Sequence, residues 1–180
     1  MNRCPWGMAC WGAAVLFALG CASNAEPELE RIGRHERALQ AALIHMEGEG
    51  VPEAMEDVVS ALLRDYASYA NAHRGDSLAT QFLMKRADLL EGKGSLLEAE
   101  RQWLDLADGL RDPVVTPEAM FRLGFLRESA LFDTTGALEA YAEILRLYPE
   151  SPWAEQAAQS SKWLTFSESE FLRALRENQP

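Results

Sequence analysis

Two stretches of the chain repeat one pattern of large and small residues, and this repeat limits the possible folds more than any other feature. Leu83–Trp103 reads LMKRADLLEGKGSLLEAERQW, and Met120–Tyr141 reads MFRLGFLRESALFDTTGALEAY. In each stretch a small residue lies four positions after a large apolar one. A loop with glycine comes next, and an alanine then precedes an aromatic residue by four positions. A period of this length predicts stacked helix pairs. The small residues in each stretch let the two helices of a pair approach closely. The matching residues lie 37 to 38 positions apart and are Ala87 and Gly124, Ala99 and Ala137, and Trp103 and Tyr141.

Helical periodicity extends over the rest of the body, which has no sustained period-2 alternation and no hairpin turn of the Asn-Gly or Asp-Gly type between such runs. Glycines and prolines separate the periodic segments, with Gly75 and Gly94 as stops and Pro52 and Pro117 at helix starts, where Thr116 is the expected cap before Pro117. We therefore predict an all-α fold. The predicted helices cover approximately 29–46, 53–73, 76–91, 95–112, 116–131, 135–148, a segment from 151 onward, and 168–177.

The repeated segments resemble the tetratricopeptide repeat, a helix pair of about 34 residues. The most specific stretch is ALEAYAEILRLYPESPWAEQA, from Ala137 to Ala157, whose Tyr-Pro-x-Ser-x-x-Ala junction is similar to repeats of bacterial envelope proteins. Outer-membrane-assembly lipoproteins and the periplasmic adaptor linked to the Tol–Pal system carry such repeats. The resemblance covers about Leu62 to Leu164. It implies a short right-handed superhelix (solenoid) of helix-turn-helix pairs that binds another protein.

The N-terminal segment differs from the body. Arg3 is the only basic residue before Cys21, and Asp and Glu are absent before Glu26. The uncharged run from Pro5 to Gly20 is about 16 residues long, shorter than the roughly 20 that a membrane-spanning helix needs. We interpret residues 1–20 as a lipoprotein signal peptide, residues 21–28 as a lipidated Cys and a polar tether, and residues 29–180 as the helical repeat domain.

Ala18-Leu19-Gly20-Cys21 resembles the bacterial lipobox, in which the cysteine receives a diacylglycerol and becomes the first residue of the mature protein. The other cysteines, Cys4 and Cys10, also precede the body, which therefore has neither a disulfide framework nor a thiol metal site. Acylation of Cys21 implies stable membrane anchoring, and Ala22 resembles the pattern for outer-membrane sorting. Two alternatives remain open. Cleavage after Ala25 yields a soluble periplasmic protein, or Cys21 is an ordinary residue of the apolar run.

The charge of the chain limits the classes of partner. The 28 acidic residues outnumber the 17 basic ones, and the formal net charge is -11. Nucleic acids and anionic lipid surfaces bind basic surfaces, so neither is expected as the main partner. With 48% hydrophobic residues in 180, the chain has enough apolar material for one domain with its own core.

No residue pattern predicts an enzyme. The three histidines, His35, His45 and His73, stand outside any H-x-x-x-H or H-E-x-x-H context, and we expect them at surfaces or helix caps. Gly92-Lys93-Gly94-Ser95 lacks the spacing of a phosphate-binding loop and lies between two predicted helices. We predict no catalytic residue, no metal site, no cofactor and no small-molecule substrate.

The resemblance implies a binding surface on the first helix of each pair, which lines the inner, concave face of the stack. On the predicted 118–131 helix, Phe121 and Phe125 share a face, whereas Met120, Leu123 and Gly124 supply the packing side. This helix is therefore apolar nearly all round and must be buried on two sides. The predicted partner-binding residues are Gln81, Met84, Asp88 and Glu91 in one repeat, and Glu118, Phe121, Phe125 and Glu128 in the next.

Two explanations for the cover over Phe121 and Phe125 stay open. The chain itself covers them, through the 29–46 helix or the C-terminal helix, or a partner peptide or helix lies in the groove. Trp153 and Trp163 are expected to pack in the last repeat, and Phe171, Leu172 and Leu175 to cap the stack. The expected function is that of a membrane-anchored protein–protein interaction adaptor of the cell envelope, located at the outer membrane and facing the periplasm. The alternatives are a structural or self-associating envelope component and a soluble periplasmic protein.

Overall fold

A computed structural model of the protein describes residues 27–44, 53–109 and 112–166, together with Arg173 and Arg176. The described residues form no strand, which confirms the predicted all-α fold. The segment with Cys21 and both cleavage sites, and Phe171, Leu172 and Leu175, lie outside them. The helices are α1 (Glu28–Ile44), α2 (Glu53–Ala72), α3 (Ser77–Gly92), α4 (Leu96–Gly109), α5 (Val115–Ser129), α6 (Thr134–Leu147) and α7 (Pro152–Thr165).

Local turn chemistry sets most helix boundaries within one or two residues of the prediction. Gly75 and Gly94 adopt positive φ angles of 89° and 82° in the turns before α3 and α4, a conformation that costs glycine little. The Asp76 side chain accepts a hydrogen bond from the Leu78 backbone N–H at 3.0 Å and caps α3. Asp133 accepts one from the Gly136 N–H at 2.9 Å, and α6 therefore begins at Thr134.

The start of α5 differs from the prediction, which made Thr116 the capping residue. Asp112 Oδ1 accepts hydrogen bonds from the backbone N–H groups of Val115 (3.0 Å) and Val114 (2.8 Å), and these bonds lower the pKa of Asp112. Thr116 is buried, and its Oγ1 accepts from the Asp112 N–H at 2.9 Å. The short Asp112 side chain therefore satisfies the first free amides, and α5 begins at Val115, ahead of the predicted cap.

The core consists of three apolar clusters arranged in chain order. The first joins α1, α2 and α3 around Tyr66 and Phe82, whose rings stack with centroids 5.1 Å apart. The second joins α3, α4 and α5 around the fully buried Trp103. The third joins α6 and α7 around Tyr141, with Phe121 of α5 packed against it. Each helix therefore packs mainly on its neighbours in sequence.

The odd-numbered helices also contact one another. Lys85 Nζ of α3 donates to Glu36 Oε1 of α1 at 2.7 Å. Arg122 Nη2 of α5 lies 3.2 Å from Asp88 Oδ1 of α3. The Phe121 ring of α5 lies 5.1 Å from the Trp153 ring of α7, centroid to centroid. Alternate helices are thus linked along one side by two ion pairs and one aromatic contact.

Polar side chains fasten α1 to α2. Asp65 of α2 accepts a hydrogen bond from Arg31 Nε at 3.0 Å and lies 2.9 Å from His35 Nδ1. His35 therefore serves a contact between helices, whereas His73 is exposed as expected, and His45 lies outside the described residues. Among the helices described, none has the length and apolar character needed to cross a membrane.

Candidate functional site

Three aromatic side chains from α5 and α7 form a continuous surface, which we call the aromatic patch: Phe121, Phe125 and Trp153. The rings of Phe121 and Phe125 are nearly parallel, 16° apart in plane, with centroids separated by 6.5 Å. The Phe121 ring also lies 5.6 Å from that of Tyr141, which forms the floor beneath it. The patch therefore extends outward from the buried core of the third cluster.

The two phenylalanines differ in how far the chain covers them. Phe121 is half-buried between Tyr141 and Trp153, so it belongs partly to the core. Phe125 is 47% exposed. The described part of α1 packs on α2 and reaches α3 through Glu36, so it does not supply the expected cover. Among the described residues Phe121 is thus covered and Phe125 is left partly exposed, and the C-terminal helix, the other predicted cover, lies outside them apart from Arg173 and Arg176.

The packing of α5 explains why Phe125 has this position. Gly124 faces α6 so closely that an added Cβ would lie 2.6 Å from Tyr141 Cε1. Leu123 and Leu126 fill the second cluster on the other side. These contacts fix the rotation of α5 about its axis, and the rotation directs position 125 away from both neighbours.

The predicted residues of α3 lie beside the patch rather than in it. Gln81 is exposed, and Met84 is half-buried against the second cluster. Asp88 pairs with Arg122, whose guanidinium lies 5.7 Å from the centre of the Trp103 ring. Burial raises the pKa of Asp88 despite the nearby Arg122 charge. This ion pair links a predicted residue of α3 to the helix that carries Phe121 and Phe125.

The two repeats carry different side chains at the position of Phe125. Phe125 follows Asp88 by 37 residues, the same offset that relates Gly124 to Ala87. In the first repeat Asp88 forms an ion pair with Arg122 of α5, the next odd-numbered helix. Phe125 contacts Phe121 of its own helix, and its ring remains nearly half exposed.

Two predicted binding carboxylates have a structural role that the sequence analysis missed. Trp103 Nε1 donates a hydrogen bond to Glu91 Oε1, and Tyr141 Oη donates one to Glu128 Oε2 at 2.8 Å. Burial, followed by the bond to Glu128 and its charge, raises the pKa of Tyr141. The signal was present in the repeat, because each glutamate precedes its aromatic partner by 12 or 13 positions. The last predicted residue, Glu118, is half-buried in the first turn of α5.

A concave feature lies between α1, α2 and α3. A cavity of about 460 Å³ is lined mainly by apolar side chains, with Glu56, Asp88 and Lys93 as charged members. Sequence reasoning could not find it, because it requires the ends of three helices to meet. Its apolar lining residues are Leu39, Leu43, Met55, Val59 and Leu89.

Trp163 does not pack in the last repeat as expected, because it is 60% exposed and contacts only the neighbouring Phe166 ring among the aromatic contacts described. Within the described residues, no three His, Cys, Asp or Glu side chains converge as metal ligands. The groups that the described surface presents at and beside the aromatic patch are therefore aromatic rings and carboxylates.

Comparison with protein-family models, with curated proteins and with solved structures finds no match to this chain.

Proposed function

We propose that the protein is an adaptor of the bacterial cell envelope that binds a peptide or helix of another protein on its aromatic patch. The observation that carries this proposal is Phe125, an aromatic ring stacked on the half-buried Phe121 and left 47% exposed. Exposed aromatic side chains backed by a rigid floor are typical of the residues that contribute most binding energy at interfaces. The role is binding, and it requires neither catalysis nor a cofactor.

The proposed architecture is a short right-handed superhelix of helix pairs similar to tetratricopeptide repeats. Contacts between alternate helices support it, since α1 meets α3, α3 meets α5 and α5 meets α7. In such a stack the odd-numbered helices line one face. The aromatic patch then lies on the inner face, where an extended or helical segment can bind along the groove.

The envelope location rests on the N-terminal segment. We propose that residues 1–20 are removed and that Cys21 carries the lipid of an outer-membrane lipoprotein facing the periplasm. Radiolabelled palmitate tests this, because the wild-type protein should incorporate label and Cys21→Ala should not. No labelling of the wild type would favour the soluble form cleaved after Ala25, and equal labelling of both proteins would show that Cys21 is not the acylated residue.

The adaptor role is tested by co-purification of the tagged full-length protein from detergent-solubilised envelopes. Phe125→Glu removes the exposed ring and leaves Phe121 in the core. Leu145→Glu is the matched control, since Leu145 is 39% exposed on α6 and lies outside the patch. Both changes are at exposed sites and should alter the free energy of unfolding by less than about 1 kcal/mol.

The proposal expects a stoichiometric partner with wild type and Leu145→Glu, and its loss with Phe125→Glu. Equal recovery of the same partner with both variants would refute the role of the patch. Recovery of only a second copy of the chain would favour the self-associating structural component instead.

A further inference from the structure

We infer that the segment bound by the aromatic patch is basic, with Lys or Arg residues flanking an apolar anchor. This inference rests on the proposed function and adds the chemistry of the partner. It follows from the charges that border the patch along α5 and from the ion pairs that already occupy the two arginines of that helix.

Two carboxylates stand at either end of the patch. Glu118 precedes Phe121 by three residues, and Glu128 follows Phe125 by three, which places each within one turn of a patch ring. Side chains three or four residues apart share one face of a helix. A segment that lies along α5 over both rings therefore passes near both carboxylates.

The negative charge at these ends is not neutralised by the described part of the chain. Glu128 accepts its hydrogen bond from the neutral Tyr141 hydroxyl, which leaves its charge in place. Within the described residues, neither Glu118 nor Glu128 forms an ion pair. Both remain half-buried, so their fields are screened less than those of fully exposed groups.

Both cations of α5 are already committed, because Arg127 pairs with Glu100 and Arg122 with Asp88. Arg122 lies next to Phe121 in sequence, but its guanidinium pairs with Asp88 and lies over the Trp103 ring. An acidic ligand would have to displace Asp88 from Arg122 and would meet Glu118 and Glu128. A basic ligand meets two carboxylates without breaking any contact, and the formal net charge of -11 adds a field of the same sign.

A displayed library of random twelve-residue peptides, panned on the full-length protein in detergent, tests the inference. We expect the enriched peptides to carry Lys or Arg within about four residues of an aromatic or long aliphatic side chain. A synthetic copy of the most enriched peptide then serves as the probe. Phe125→Glu shows whether its binding depends on the patch.

Removing the two flanking charges measures their contribution. Glu118→Gln combined with Glu128→Gln should raise the Kd of the peptide about 3- to 10-fold at low salt, as expected for two partly exposed charge pairs. The glutamine introduced by Glu128→Gln keeps an oxygen that can accept from Tyr141. The matched control, Glu98→Gln with Glu139→Gln, changes net charge equally at exposed sites on α4 and α6 and should leave the Kd unchanged.

The possible results separate this inference from the proposed function. Basic peptides that require Phe125 and lose affinity in the Glu118/Glu128 variant support it. Peptides that require Phe125 but carry no basic residue overturn it and leave the adaptor role intact. If no enriched peptide depends on Phe125, both this inference and the proposed use of the patch fail.

Discussion

Gly124→Ala tests the close approach of α5 and α6 that supports the aromatic patch. The added Cβ would lie 2.6, 2.9 and 3.1 Å from three ring carbons of Tyr141, all closer than ordinary van der Waals contact. The ring has little room to move, because it is fully buried, hydrogen-bonded to Glu128 and in contact with Phe121. Overpacking of this kind costs about 1–3 kcal/mol.

An opposing effect must be subtracted, because alanine favours a helix over glycine by about 1 kcal/mol. The overpacking cost should lie in the upper half of its range, because three atoms collide. After the gain in helix propensity is subtracted, the free energy of unfolding should fall by about 1–2 kcal/mol. For a chain of this size the midpoint of thermal unfolding should fall by roughly 2–8 °C. Urea denaturation of the full-length protein, followed by helical circular dichroism, measures the free energy directly.

Gly33→Ala is the matched control within α1. Its added Cβ meets only the flexible Arg37 side chain, at 3.4 Å, so the gain in helix propensity should dominate and stability should rise by up to about 1 kcal/mol. The two substitutions are chemically identical and should have opposite signs. If Gly124→Ala also stabilised the protein, α5 and α6 would not approach as closely as described.

Three further predictions concern other parts of the fold. Phe132 is 85% exposed and has a φ of 58°, in the left-handed region that costs a non-glycine residue about 1–2 kcal/mol. Phe132→Gly should therefore raise the urea midpoint of unfolding. No rise would show that the turn is unstrained. Burial alone would raise the pKa of Glu36, but hydrogen bonds from Lys85 and Tyr66 and the Lys85 charge outweigh it and lower the pKa below the ordinary value. Its stabilising contribution is therefore present above about pH 4.3 and lost as pH falls through the depressed pKa, so wild type and Glu36→Gln should converge in unfolding free energy on acidification; a constant difference would contradict this. Burial, and then the bond to Glu128 and its charge, raise the pKa of Tyr141. The neutral Tyr141 therefore contributes stability below the unfolded pKa of about 10, and this contribution is lost progressively as the pH rises above it. Tyr141→Phe should flatten the alkaline loss of stability, and an unchanged slope would refute this prediction.

The helices could be predicted from the sequence where a local signal ended them. Gly75 and Gly94 marked turns because positive φ angles favour glycine, and both residues have them. The start of α5 was wrong because Asp112 and Thr116 are both good capping residues, and only the packed structure shows that Thr116 is buried. Local chemistry thus fixed boundaries except where two caps competed.

The candidate site could be predicted only in part. Spacing alone placed Phe121 and Phe125 on one face, but their different exposure depends on how Tyr141 and Trp153 reach α5 from other helices. The bonds from Trp103 to Glu91 and from Tyr141 to Glu128 repeat with the period, yet charged residues near helix ends ordinarily face water. Such contacts depend on tertiary packing, so the repeat spacing alone did not identify them.

Site-specific photo-crosslinking in living cells tests the central claim most directly. A photoreactive phenylalanine analogue replaces Phe125 in the full-length protein, and the same analogue at Leu145 of α6 provides a control of similar exposure. We predict one dominant protein adduct from position 125, reduced by Glu118→Gln with Glu128→Gln and absent from position 145. Equal adducts at both positions, or none at 125, would contradict the claim that the aromatic patch binds a partner.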